Sequence, residues 1–160
     1  MSSNIPSKMN IFERVKRFNL PFGQYAVFGS ALLDVWGIRK ANDLDIITTP
    51  ELYDKLKEEG WEEKQGNGFT FLVKDDANIT TVQNRPTDGD YFPNRIKLIK
   101  DAIIINRITF VKIEEVIACK RAYNRPKDLE DIRKIESYIK YRSGQDLYKQ
   151  VLTCPIPPVE

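Results

Sequence analysis

Asp43 and Asp45 stand on either side of a leucine in 43-DLDI-46. In an extended strand successive side chains alternate in direction, so Leu44 and Ile46 share one face and the two aspartates share the other. Two carboxylates brought that close repel and raise each other's pKa unless a cation lies between them. A magnesium ion gripped by carboxylates and by substrate phosphates suits such a pair. The plainer alternative has Asp43 closing a turn at the strand end and Asp45 facing water. A second suggestive pair is Gly29-Ser30. Glycine lets a phosphate approach the backbone closely, and serine at a helix start offers a hydroxyl with amides behind it. The same two residues also make an ordinary tight strand-to-helix turn. Lys120 follows Ile113 by seven positions and Ile117 by three, which puts it on the inward face of a helix. A lysine there either snorkels to the rim or addresses an anion.

The elements around these residues are legible from pattern and punctuation. Ile11, Val15 and Phe18 mark a short amphipathic helix, broken by Pro21 and Gly23. Tyr25 to Phe28 is an apolar strand ending at Gly29-Ser30; Ser30 is placed to cap a helix over Ala31–Trp36, which Gly37 ends. Leu44 to Thr48 is a second strand. Thr49 is then an N-cap, Pro50 the first helical residue and Glu51 an acid at the positive end of a helix reaching about Glu59. Gly66-Asn67-Gly68 makes a hairpin between Trp61–Gln65 and Phe69–Val73. Asp75-Asp76 turns the chain into a strand over Ile79–Gln83. The stretch 84-NRPTDGDYFPN-94 has the composition of a loop. Asn106-Arg107 joins strands Ala102–Ile105 and Ile108–Val111. The last third is helical, with Asn124 and Pro126 marking a break and a fresh start and Leu129, Ile132, Ile135 and Ile139 along one face. The expectation is a small α/β (α+β) domain, a mixed sheet with flanking helices, two of them C-terminal.

Composition narrows the chemistry further. The 160 residues, 41% hydrophobic and 30% charged, suit one globular domain. A net charge of +2 gives no strong nucleic-acid signal and no membrane-surface role. There is no histidine, and the two cysteines, Cys119 and Cys154, are far apart. Imidazole catalysis, a histidine zinc site and a disulfide framework are therefore excluded, and any metal should be hard and oxygen-bound. No stretch has signal-peptide form or approaches the ~20 apolar residues of a membrane span, so the expected location is cytoplasmic.

The order of these motifs resembles a known signature. An apolar residue, Gly and Ser in 28-FGS-30, twelve intervening residues and 43-DLDI-46 look like the signature of the DNA polymerase beta-like nucleotidyltransferase superfamily. The likeness is nearest to its small bacterial members of antibiotic-modifying, toxin–antitoxin and phage-defence type. The stretch 120-KRAYNRPKDLEDI-132 resembles those members too, supplying Lys120, Arg125, Lys127, Asp128 and Asp131. The resemblance spans roughly residues 22 to 140. It implies a single nucleotidyltransferase-like domain over 1–151, after which the three prolines of 152-LTCPIPPVE-160 mark an irregular tail. It also implies roles: Asp43 and Asp45 as catalytic residues and magnesium ligands, Gly29 and Ser30 as the hold on the triphosphate, and Lys120 as a phosphate-facing cation. A third carboxylate belongs on the strand 78-NITTVQN-84, where the best-matching position is Thr80 and the other in-phase position is Asn78. Neither is acidic. Asp75 or Asp76 before the strand, or Asp88 or Asp90 after it, would have to replace it.

The implied activity is magnesium-dependent transfer of a nucleoside monophosphate from a nucleoside triphosphate to a hydroxyl acceptor. A catalytically lapsed member that binds nucleotide or a protein partner is the alternative. An RNA-handling module comes third, because the basic residues are interleaved with acids rather than gathered in a stripe. Two C-terminal helices make a thin second wall for an acceptor pocket, which a homodimer would complete. Tyr91-Phe92 in the long loop is a candidate lid, with Arg85 and Arg95 flanking it. Trp36 suits core packing better than a base pocket.

Overall fold

The computed structural model describes residues 9–66, 68–81 and 95–142. Local sequence explains most boundaries. Helix α1 (Ile11–Lys16) opens with a capping box in which Asn10 and Glu13 satisfy each other's backbone amides. Strand β1 (Tyr25–Phe28) leads through Gly29-Ser30 into α2 (Ala31–Val35). That helix ends in a Schellman motif: Gly37 has φ +76°, and the amides of Gly37 and Ile38 donate to the carbonyls of Asp34 and Leu33. Strand β2 (Leu44–Thr48) precedes α3 (Pro50–Glu58), whose N-cap Thr49 accepts from the Leu52 amide. Strands β3 (Glu62–Gln65), β4 (Thr70–Lys74) and β5 (Ala77–Thr81) follow, then α4 (Arg95–Lys100), β6 (Ile103–Ile105) and β7 (Ile108–Phe110). Asn106 and Arg107 both take positive φ in the two-residue turn between β6 and β7, as a type I′ turn demands. Helix α5 (Ile113–Tyr123) stops at Asn124, left-handed at φ 55°, and Pro126 opens α6 (Pro126–Arg142). Asn124 thus closes the earlier helix rather than capping the later one.

Among the described residues the strands form one mixed sheet of seven, ordered β3-β4-β5-β2-β1-β7-β6. The central pair β1 and β2 is antiparallel, with Phe28 opposite Asp45, while β5 runs parallel to β2 and β7 parallel to β1. The fold class expected from sequence is the one found. One sheet face carries the main core: Val27, Leu44, Ile46, Ile79 and Phe110, covered by α1, α2, α3, α5 and α6. The other face carries a smaller cluster in which Ala26, Phe28 and Ile47 meet Leu98 and Ile99 of α4, together with Val111 and Cys119. Asp45 alternates with the inward Leu44 and Ile46 and so lies on this second face, in line with Ile47. Among the described residues no helix is long and apolar enough to cross a membrane.

One helix was missed and one expectation changes. Helix α4 was not legible, because 95-RIKLIK-100 alternates as a strand does and is too short to show a helical period. On α6, Ile132 and Ile135 are buried as expected, but Leu129 is 43% exposed and the inner face is completed by Asp128 and Asp131. The spacing of the apolar residues alone did not separate 129 from 128 and 131.

Candidate active site

The turn after β1 and the middle of β2 meet on the second sheet face. Gly29 holds φ +77°, a left-handed conformation that a side chain resists, and a β-carbon built there would lie 3.5 Å from Oδ2 of Asp45. The carboxylate therefore stands directly beside the turn. The antiparallel register requires this, since Asp45 faces Phe28, the residue before Gly29. Asp43 lies in the bend one residue before β2 and is exposed, as is Asp45. Both sequence-selected aspartates thus sit at the end of β2 nearest the Gly-Ser turn.

Strand β5 is the neighbour on the other side. Its register puts Asn78 opposite Asp45 and Thr80 opposite Ile47. Ala77 and Ile79 are buried in the core, so Asn78 and Thr80 face the same side as Asp45. The position beside Asp45 is filled by an amide. Of the substitute acids, Asp76 is buried and its two oxygens are taken by Arg14 Nε at 2.7 Å and by Arg17 Nη2. Asp75 pairs with Arg17 at 3.5 Å. Both belong to the β4–β5 turn and its anchor on α1. Asp88, Asp90, Arg85, Tyr91 and Phe92 lie outside the described residues, as does the side chain of Arg95.

Ser30 behaves differently from the sequence expectation. It makes no side-chain cap on α2. Its hydroxyl oxygen instead accepts from Nη2 of Arg39 at 2.8 Å. The same guanidinium grips Asp131 with two donors, Nε to Oδ1 at 2.8 Å and Nη2 to Oδ2 at 2.9 Å. Asp131 also accepts from Lys120 Nζ at 2.9 Å, and Asp128 lies 3.9 Å from that ammonium. Asp128 in turn holds the Arg125 guanidinium at 2.6 Å and the Arg125 amide at 3.2 Å, which fixes the first turn of α6. The anion that buried Lys120 faces is therefore Asp131, with Asp128 beyond it. A continuous line of polar contacts runs from Ser30 through Arg39, Asp131 and Lys120 to the first turn of α6.

Charge explains how this line is tolerated inside the protein. Burial by itself would raise the Asp131 carboxyl; the hydrogen bonds from Arg39 and Lys120, with their charges, outweigh it and leave the group below its ordinary value. Asp128 follows the same pattern, burial raising it and Arg125 lowering it further. The Arg39 guanidinium is raised, chiefly by its hydrogen bond to Asp131. Arg39 was not singled out from sequence. Its partner Asp131 is 92 residues away, and the only local signal was a cation four residues before the D-x-D.

The segment that delivers Asp43 is held from the other side as well. Arg14 of α1 donates to the carbonyls of Ala41 at 3.0 Å and Asn42 at 2.6 Å, and the Ala41 amide donates to Asp34 at 2.8 Å. Trp36 is buried and stacks on Tyr138 of α6, with ring centroids 5.0 Å apart and planes 8° apart, which places it in the core.

A magnesium ion can be tested against these donors. Among the described residues no group of three acidic, histidine or cysteine side chains could hold a metal by itself. Two exposed carboxylates at a strand end, next to a backbone turn, fit an ion that keeps waters and arrives with substrate phosphates. They do not fit a resident ion caged by protein alone.

No family model matches the chain. No curated protein matches it either. Among solved structures, it is similar to a crystal structure of ANT(2″)-Ia in complex with adenylyl-2″-tobramycin. The identity is 15%, the TM-score is 0.47, and the match covers 88% of this chain and 90% of that one.

Proposed function

We propose that the protein binds a magnesium–nucleoside triphosphate at the junction of β1, α2 and β2 and transfers the nucleoside monophosphate to a hydroxyl acceptor. The observation that supports this most is the placement of Asp45 against Gly29, which joins a carboxylate and a backbone turn of close approach in one spot. Asp43 and Asp45 would hold the ion, whose chemistry is to neutralise and orient the triphosphate. Gly29 leaves room at the turn, and Ser30 donates its hydroxyl to a phosphate oxygen. Lys120 serves the site through Asp131. Pyrophosphate leaves as the acceptor oxygen attacks the α-phosphorus, and the acceptor proton needs a base.

That last need favours a second reading, a member of the same fold that binds nucleotide or a partner protein without turnover. Asn78 stands where a third carboxylate would help, and Asp75 and Asp76 are engaged by Arg14 and Arg17. Release of pyrophosphate from each of the four ribonucleoside triphosphates, with magnesium and a panel of hydroxylated acceptors, separates the two readings. Magnesium-dependent release supports transfer. Binding without release supports the second reading, and neither binding nor release contradicts both.

A further inference from the structure

We propose that Arg39, Asp131 and Lys120 form a positioning relay that turns the Ser30 hydroxyl into a fixed donor for a polyphosphate anion, and that this spot binds such an anion without any metal. The inference deepens the nucleotide reading above and rests on it for the identity of the natural ligand. It begins with what Ser30 does not do. A serine at this position ordinarily bonds to an amide of the helix it precedes, and Ser30 makes no such bond. Its oxygen accepts from Arg39 Nη2 at 2.8 Å instead.

A hydroxyl has one hydrogen and two lone pairs. With a lone pair held by a guanidinium, the O–H points away from Arg39, and the adjacent positive charge strengthens what it donates. The orientation is as fixed as Arg39 is. Arg39 donates twice to Asp131, whose side chain is 4% exposed and whose Oδ2 also accepts from Lys120. The arrangement therefore offers an anion a directed donor backed by the Arg39 guanidinium. Lys120 is a positioning residue here, acting through Asp131 and Arg39.

The test uses the full chain and inorganic tripolyphosphate, titrated calorimetrically without divalent metal. Wild type is expected to bind. Ser30→Ala should weaken binding about tenfold or more, as for loss of a hydrogen bond to a charged group. Arg39→Gln should weaken it by a similar factor in the wild-type background and by less than about twofold on top of Ser30→Ala, because the relay acts through that hydroxyl. Arg39→Lys keeps a charge against Asp131 and secures the test if the glutamine variant does not fold; one ammonium cannot serve both partners as the fork does, so the same loss is expected. Additive effects of Ser30→Ala and the Arg39 variant would overturn the relay, as would affinities equal to wild type or no tripolyphosphate binding at all. Glu136→Gln, at an exposed pair with Arg121 away from this line, should leave metal-free tripolyphosphate affinity within about threefold. If tripolyphosphate binding depends on Ser30 and Arg39 while magnesium–ATP binding ignores Asp45, the relay stands and the nucleotide reading falls. If magnesium–ATP binding needs Asp45 while tripolyphosphate binding ignores Ser30 and Arg39, the relay falls alone.

Discussion

Replacing Asp131 by asparagine should be among the most damaging single-atom exchanges in this protein. The carboxylate accepts three hydrogen bonds from charged donors, two from Arg39 and one from Lys120. Hydrogen bonds to charged groups contribute about 1.5–3 kcal/mol each, which sets an upper bound if all three were lost independently. Asparagine keeps one acceptor: at the Oδ2 position it retains Arg39 Nη2 and Lys120 Nζ but sets its amide against Arg39 Nε donor to donor, and at the Oδ1 position it retains Nε alone and sets its amide against the other two. The Arg39 side chain is 30% exposed and recovers water. Lys120 is 11% exposed and keeps only one counter-charge, Asp128, 3.9 Å away. These offsets bring the expected loss to about 3 kcal/mol, the low end for removing one partner of a buried pair. In a chain of 160 residues that corresponds to a fall in Tm of roughly 6–12 °C. Urea unfolding at pH 7 gives the free energy directly. Glu136→Gln, which breaks an exposed pair with Arg121, serves as the control and should stay within about 0.5 kcal/mol of wild type. Adding Lys120→Met to Asp131→Asn removes the stranded ammonium and should recover about 1 kcal/mol or more. A loss below about 1 kcal/mol for Asp131→Asn would refute the claim that this carboxylate is the keystone between α2, α5 and α6.

Arg14→Met should cost about 3 kcal/mol by urea unfolding, because it leaves the buried Asp76 carboxylate with Arg17 alone and two carbonyls without their donor; a loss under about 1 kcal/mol would contradict the anchoring of the Asp43 segment by α1. Gly29→Ala should cost about 1–2 kcal/mol through its backbone angle alone, since a β-carbon there makes only ordinary contact; a neutral result would mean that the turn relaxes readily. The folded-state carboxyls of Asp128 and Asp131 lie below their ordinary value, so their contribution is complete above about pH 4 and is lost as pH falls through the folded values. The urea midpoint should accordingly drop in acid, with a flatter acid limb in Asp131→Asn, and an unchanged limb would count against the coupling. Asn78→Asp should raise pyrophosphate release by at least about tenfold and by more than Thr80→Asp, because Asn78 is the register neighbour of Asp45; equal or lower rates would argue that no acid is missing at that position.

Much of the architecture was legible because short-range rules decide it here. Strands β1 and β2 fall where their apolar runs predict, and Thr49-Pro50 and Gly37 act as punctuation in the way their backbone chemistry requires. The meeting of Asp45 with the Gly-Ser turn followed from strand alternation and motif order. What the sequence hid depends on distant partners. Ser30 is drawn from its capping role by Arg39, which is itself held by a residue 92 positions later. Lys120 was correctly placed on an inward face, but its neighbour Asp131 is visible only once α5 and α6 pack. Asp75 and Asp76 read as a turn and as candidate substitute acids, and Asp76 is in fact buried against Arg14 and Arg17, some sixty residues upstream. Helix α4 escaped because six residues cannot display a helical period.

The central claim is that Asp45 and the Gly29-Ser30 turn together hold a magnesium–nucleoside triphosphate. Calorimetric titration of wild type and Asp45→Asn with ATP, each with and without magnesium, tests it most directly, and the other three ribonucleoside triphosphates extend it should the base matter. The account predicts that magnesium tightens nucleotide binding to wild type and that Asp45→Asn loses at least about tenfold of that magnesium-dependent affinity, a charged ligand to a hard cation having been made neutral. Equal affinities for the two proteins, or binding indifferent to magnesium, would contradict it.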